Sequence, residues 1–212
     1  ALGKELEDQL EEVRQDYYRL TAAVQQATEA APIADVPKTF GPVAPQRGIP
    51  APDRVDQLPI YNRNTTAALW WVGAHGGAGE STLAALLPGS QAAGHSWPHT
   101  ASASPAPTVL VARSDARGLR AAQAAMRQWA AGLVPSVEVL GLVVMADAPG
   151  RLPRALRNLM QVVSGGVPRT WSVPWVDAWR VGEPPALSSS PREAQRLVNE
   201  LTAILGAAGT LN

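Results

Sequence analysis

The chain has 212 residues, of which 46% are hydrophobic and 17% charged, with no cysteine and a formal net charge of zero. That is enough sequence for a full core plus an appendage, and it excludes disulfides, thiolate metal sites and cysteine nucleophiles. No run of about eighteen apolar residues occurs and the N-terminal stretch is acidic and amphipathic, so neither a transmembrane helix nor a secretory signal is expected and the cytoplasm is the expected compartment.

Charge is unevenly spread. Residues 1–30 carry seven acids against three bases, which leaves the remainder net positive by four. That excess is too weak to indicate nucleic acid. Within this stretch Leu6, Leu10, Val13, Tyr17, Leu20 and Val24 are spaced alternately four and three residues apart, the seam of a coiled coil. One helix cannot bury such a stripe alone, so the seam predicts self-association or a partner helix; the alternative is a helix docked on its own domain. The acids Glu5, Glu7 and Asp8 suit a helix N-terminus.

Over residues 31–63 prolines recur at Pro32, Pro37, Pro42, Pro45, Pro50, Pro52 and Pro59 without apolar periodicity. This predicts a semi-rigid linker, and about thirty extended residues at ~3.1 Å each would reach ~90 Å. A proline-rich ligand for a recognition module is the alternative reading of this stretch.

The globular domain is expected over 64–212, and it opens on LWWVGAHGGAGESTL at 69–83: an apolar strand, a glycine-rich turn and a helix start. That is the layout of a phosphate-binding loop, in which backbone N–H groups and the helix dipole face an anion. The candidate loop residues are Gly76, Gly77, Gly79, Glu80, Ser81 and Thr82. The motif GxxxxGK[ST] wants lysine where Glu80 stands. Downstream, a short helix over 81–87 ends at Pro88-Gly89, and 90–107 reads as a loop. A short buried strand is expected at 108–112, then a helix over 117–131 capped by Asp115. The most strand-like run is 137–146, followed by a helix over 152–163 with Pro153 in its first turn. A strand at 170–173 and a C-terminal helix over 191–205 complete the pattern. Alternating strands and helices predict an α/β domain with a doubly wound, mostly parallel sheet covered on both faces.

HGGAGEST resembles KGGVGK[ST], the deviant phosphate loop of the MinD/ParA family of dimerising P-loop ATPases. The likeness implies a P-loop NTPase-like fold of the SIMIBI type. In that family one lysine inside the loop and a signature lysine at its start act on the nucleotide, the second reaching into the partner subunit. Those positions correspond to Glu80 and His75, while Gly76, Gly77, Gly79, Ser81 and Thr82 match, Ser81 standing at the magnesium-binding hydroxyl. The whole chain also resembles an uncharacterised family of short P-loop-like proteins from mobile elements of high-GC Gram-positive bacteria, with similar WWVGAHGGAGEST, GHSWP and VPWVDAWR stretches. That likeness implies no activity and a plasmid or conjugation context.

A count independent of any family points away from catalysis. Lys4 and Lys38 are the only lysines, so the expected nucleotide domain has none. Arg113, Arg117, Arg151 and Arg154 lie where strands end and helices begin, the crevice in which doubly wound sheets bind ligands, although solvated helix-start arginines are the plainer reading. Asp147-Ala-Pro-Gly150 resembles the DxPxG switch of the ATPases, or else is a turn whose Asp147 caps the next helix. A serine hydrolase with Ser96 as nucleophile requires a G-x-S-x-G elbow that Pro98 breaks, and a histidine later than His99. His75, His95 and His99 have no diagnostic metal spacing. Trp97, Trp171, Trp175 and Trp179 read as core or interface anchors before base-stacking platforms.

These observations predict a non-catalytic P-loop ATPase-like scaffold or regulatory accessory without bound ATP or metal, acting through self-association or a partner. The alternative is a nucleotide-dependent MinD/ParA-like switch. Deleting residues 1–30 is expected to lower the mass measured by light scattering to that of a monomer. An unchanged, already monomeric mass would return the seam to its own domain or to a foreign partner.

Overall fold

A computed structural model of the chain describes residues 39–209 together with Gln15. Two compact units divide the chain, Ala1–Val36 and Pro37–Asn212, and the seam residues expected at 6–24 lie outside the described residues. The second unit therefore begins at Pro37, well before the expected boundary at Asn64.

The proline-rich stretch from Thr39 onward is laid on the domain. Phe40 N–H donates to Pro168 O at 2.8 Å and Gln46 N–H to Ala130 O at 2.9 Å. A single 3₁₀ turn, Arg54–Asp56, leads to Leu58, which is buried. There Gln128, itself 2% exposed, accepts from Leu58 N–H and donates to Leu58 O, both at 2.9 Å. The same amide oxygen accepts from the Trp97 indole at 2.9 Å. A buried side-chain amide with matched partners satisfies the backbone that proline-rich sequence leaves unpaired, which periodicity cannot reveal.

Next comes β1 (Ile60–Arg63), paired in parallel with β4 (Trp97–Thr100) in a two-stranded sheet. The main sheet has five strands, β2 (Leu69–Gly73), β3 (Ser90–Gly94), β5 (Ala106–Arg113), β6 (Val137–Met145) and β7 (Thr170–Val173), ordered β3-β2-β5-β6-β7. Every neighbouring pair is parallel. Because β2 stands between β3 and β5, the two strands of this sheet that follow it in the chain, this is one of the two common doubly wound orders. Two strands fall in 90–107, where a loop was expected. Small and polar residues give β3 little strand propensity, yet pairing with β2 decides its conformation, and Pro98 is tolerated because β4 belongs to a two-stranded pair.

Helices cover both faces. On one, α2 (Ala116–Ala130) and α3 (Arg154–Ser164) follow β5 and β6, and Leu119, Ala122, Met126 and Trp129 pack on Trp70, Val72, Leu110 and Leu142. On the other, the short α1 (Glu80–Ala84) and the C-terminal α5 (Arg192–Gly209) bring Leu83, Leu197 and Leu201 against Trp71, Val109, Val111 and Val143. A four-residue helix, α4 (Asp177–Arg180), follows β7. Adjacent tryptophans on β2 thus enter opposite cores, which is why its five residues are all buried. Asp115 caps α2 as expected, its Oδ1 accepting from Gly118 N–H at 2.6 Å, whereas α3 starts at Arg154, with Pro153 just before the helix and not in its first turn, and has no side-chain cap.

Gln128→Ala leaves the Leu58 N–H, the Leu58 carbonyl and the Trp97 indole without their partner inside the core. A loss of about 3 kcal/mol in urea-induced unfolding is expected, with faster proteolysis within 39–58; unfolding free energy unchanged to within ~0.5 kcal/mol would remove Gln128 as the anchor.

Candidate functional site

The order of the sheet puts a crevice at the carboxyl ends of β2 and β5, where successive connections leave toward opposite sides. Three segments meet there: the glycine loop after β2, the Arg113-Ser-Asp115 turn after β5, and the turns that follow β6 and β7. Ala74 N–H donates to Val111 O at 2.8 Å, so the strand pairing carries on into the start of the loop. His75 then crosses to β5. Its Nε2 accepts from Arg113 N–H at 3.0 Å, and its Nδ1 lies 3.0 Å from Gly76 O, an arrangement that suits a neutral ring protonated on Nδ1. Arg113 in turn reaches over the loop, donating from Nε to Gly77 O at 3.1 Å and from Nη1 to Ala146 O at 3.0 Å. One arginine therefore ties the loop after β2 to the residue after β6.

Gly79 is the tightest point. Its φ is +109°, and a Cβ there would collide with Met145 Sδ. Glu80, the first residue of α1, turns its carboxylate back, and Oε2 accepts from Gly79 N–H at 3.0 Å. The room for it comes from Gly73, where a Cβ would stand 2.8 Å from Oε2. A loop N–H is thus taken by a carboxylate of the same chain.

Of the residues expected in the loop, Gly76, Gly77 and Thr82 line a polar cavity of about 340 Å³, while Gly79, Glu80 and Ser81 do not. The cavity is completed by Arg113, Arg117 and Arg180, by Asp115 and Asp147, and by Trp175 and Trp179. Composition alone missed the contribution of Trp175, Trp179 and Arg180. The signal for them was position: PWVDAWR follows β7 directly, so it must emerge at the same end of the sheet. Beside this cavity lies an apolar one of about 470 Å³ between α3 and the ends of β5, β6 and β7, with Asp115, Ala146, Asp147 and Pro174 shared by both. Arg151 lines this second cavity and Arg154 neither. Asp147 caps no helix; its N–H donates to Ser114 Oγ at 3.0 Å and its side chain is exposed in the crevice.

The other sequence candidates have partners or places of their own. Ser96 is 2% exposed, donates to Ala93 O at 2.9 Å and accepts from Arg63 at 2.7 Å, so its hydroxyl is closed to a substrate. His95 Nδ1 pairs with Gly73 O at 2.9 Å and His99 lies on β4. Among the described residues no group of three or more histidines and carboxylates is placed to hold a metal. Trp97 is core, Trp171 donates to Glu200 at 2.7 Å, and Trp175 donates to Asp177 at 2.7 Å.

Fold and site together define a doubly wound α/β domain with a glycine loop at its switch point. The chain belongs to a family of unknown function (DUF6668), whose model matches residues 67–195 and so spans the loop, the crevice and the start of α5. No curated protein and no solved structure matches it. No helix among the described residues is long and apolar enough to cross a membrane.

Gly79→Ala adds a methyl against Met145 to a backbone in the left-handed region. A loss of at least ~2 kcal/mol in chemical unfolding is expected, and a loss under ~0.5 kcal/mol would mean that the turn can relax.

Proposed function

We propose that this domain is a non-catalytic, P-loop-like scaffold or regulatory module. The observation that carries the reading is the Glu80 carboxylate on Gly79 N–H, which supplies from within the chain the negative group that a phosphate would bring. Glu80 also adds repulsion. At ~4 Å and an effective dielectric of ~20 a unit charge pair is worth up to ~4 kcal/mol, so exchanging the attraction of a lysine for the repulsion of a carboxylate weakens triphosphate binding by several powers of ten even if solvent halves each contribution. His75, at the position of the signature lysine in the resemblance to MinD/ParA ATPases, supports the same reading, since its ring is bonded to Arg113 and Gly76 of its own chain. An accessory role on a mobile element, with self-association or a partner engaged through Leu6, Leu10, Val13, Tyr17, Leu20 and Val24, rests on the sequence resemblance and the seam alone.

Isothermal titration with magnesium and ATP tests the proposal on the unmodified protein, Glu80→Gln and Glu80→Lys. The unmodified protein is expected to bind more weakly than about millimolar, Glu80→Gln to remain weak because the amide oxygen still accepts from Gly79 N–H, and Glu80→Lys to gain affinity. Micromolar binding by the unmodified protein would overturn the reading. No gain in Glu80→Lys would reduce the resemblance to a turn shape.

A further inference from the structure

The apolar cavity beside the crevice is unusual for where it leaves side chains. α3 is strongly amphipathic, yet Val163 is the only one of its residues that is buried; Leu156 and Met160 are half-exposed and line the cavity. Val144 and Val173 form its sheet side and Leu152 closes its end. Leu156, Leu159 and Met160 pack against the core on one side, and the part of Leu156 and Met160 left uncovered faces about 470 Å³ of space, where dispersion contacts are missing. The volume is within the usual range for small-molecule pockets, as is the 340 Å³ of its neighbour.

Charge distinguishes the two compartments. In the polar cavity Arg113 and Asp115 are committed to backbone partners, Arg113 to Gly77 and Ala146 and Asp115 to Gly118. The side chains of Arg117 and Arg180 are exposed and have no hydrogen-bond or ion-pair partner among the described residues, and Asp147, on the wall of both cavities, is the one acid of the polar cavity left uncommitted on its side chain; the apolar cavity adds one charge of each sign, Arg151 and Glu193. Two guanidinium groups face one carboxylate, beside the rings of Trp175 and Trp179. An organic anion of the right length would lay its apolar body against Leu156 and Met160 and its charged end near Arg117 and Arg180, because Ala146 and Pro174 belong to the walls of both cavities.

We propose that the paired cavities form one binding site for an amphipathic organic anion, with an aryl or alkyl body of drug-like size and a single carboxylate, sulfonate or phosphate ester. This goes beyond the scaffold reading. The site needs none of the N–H groups that Glu80 engages, and the experiment contains no nucleotide, so its outcome is decided apart from the titration with ATP.

The probe is 8-anilinonaphthalene-1-sulfonate, titrated into the full chain and followed by its own emission and by quenching of tryptophan, with N-phenyl-1-naphthylamine as an uncharged counterpart. Near-ultraviolet circular dichroism confirms that each variant is folded. One sulfonate probe per chain is expected at micromolar affinity, with the uncharged probe at least tenfold weaker. Arg117→Gln with Arg180→Gln should weaken the sulfonate about tenfold and leave the uncharged probe unchanged. Met160→Trp, or Leu156→Trp where the first does not fold, should abolish binding of both by filling the apolar cavity. Absence of sulfonate binding by the folded protein, or binding that neither the arginine pair nor the cavity-filling variant alters, overturns the proposal.

Discussion

Five parallel strands make two apolar faces, and neither can be left to water. From that constraint follow the helices on opposite sides and the reversal of direction between β3 and β5, which opens a crevice at the carboxyl ends of β2 and β5. The crevice is therefore a consequence of covering the sheet and would exist whatever the loop sequence. What the loop sequence decides is the chemistry of the crevice. Here the residues that line it are arginines, aspartates and tryptophans, with a glycine turn tied to its own chain through Gly77 O, Gly79 N–H and the His75 ring.

Glu80 and His75 both tie the loop to its own chain. The Glu80 side chain is long enough to return to Gly79 N–H, and Gly73 leaves the space for it. His75 behaves similarly at the other end of the loop. Each ring nitrogen meets a backbone atom, so the imidazole joins the loop to β5 where a lysine at that position would extend away. One N–H of the loop, that of Gly79, is thereby met by a carboxylate of the same chain, and this supports the proposal that the geometry of a phosphate loop is retained as architecture.

Much of the fold was legible because it is written in period and run length. LWWVG and most of VEVLGLVVM are apolar on both faces, as strands of a covered parallel sheet must be, and Asp115 marks a helix start by its capping side chain. What was not legible lies where one distant partner decides the conformation. The segment 39–63 carries no pattern of its own, and its place depends on Gln128, seventy residues from Leu58. SQAAG is a strand because Trp70 and Trp71 lie beside it. At the site, the loop was readable as a loop, but the return of Glu80 was not, since nothing in the order of residues says which way a side chain at a helix start will point.

The anchoring of 39–63 also changes what the N-terminal seam can do. A spacer of about thirty extended residues would let a helix search widely, with an effective concentration that falls as the tether lengthens. Residues 39–63 are not available for that purpose: Phe40, Gln46 and Leu58 are each bonded to the domain, and β1 is paired along its length with β4. Any association through Leu6 to Val24 must therefore proceed with a shorter tether than proline content suggests.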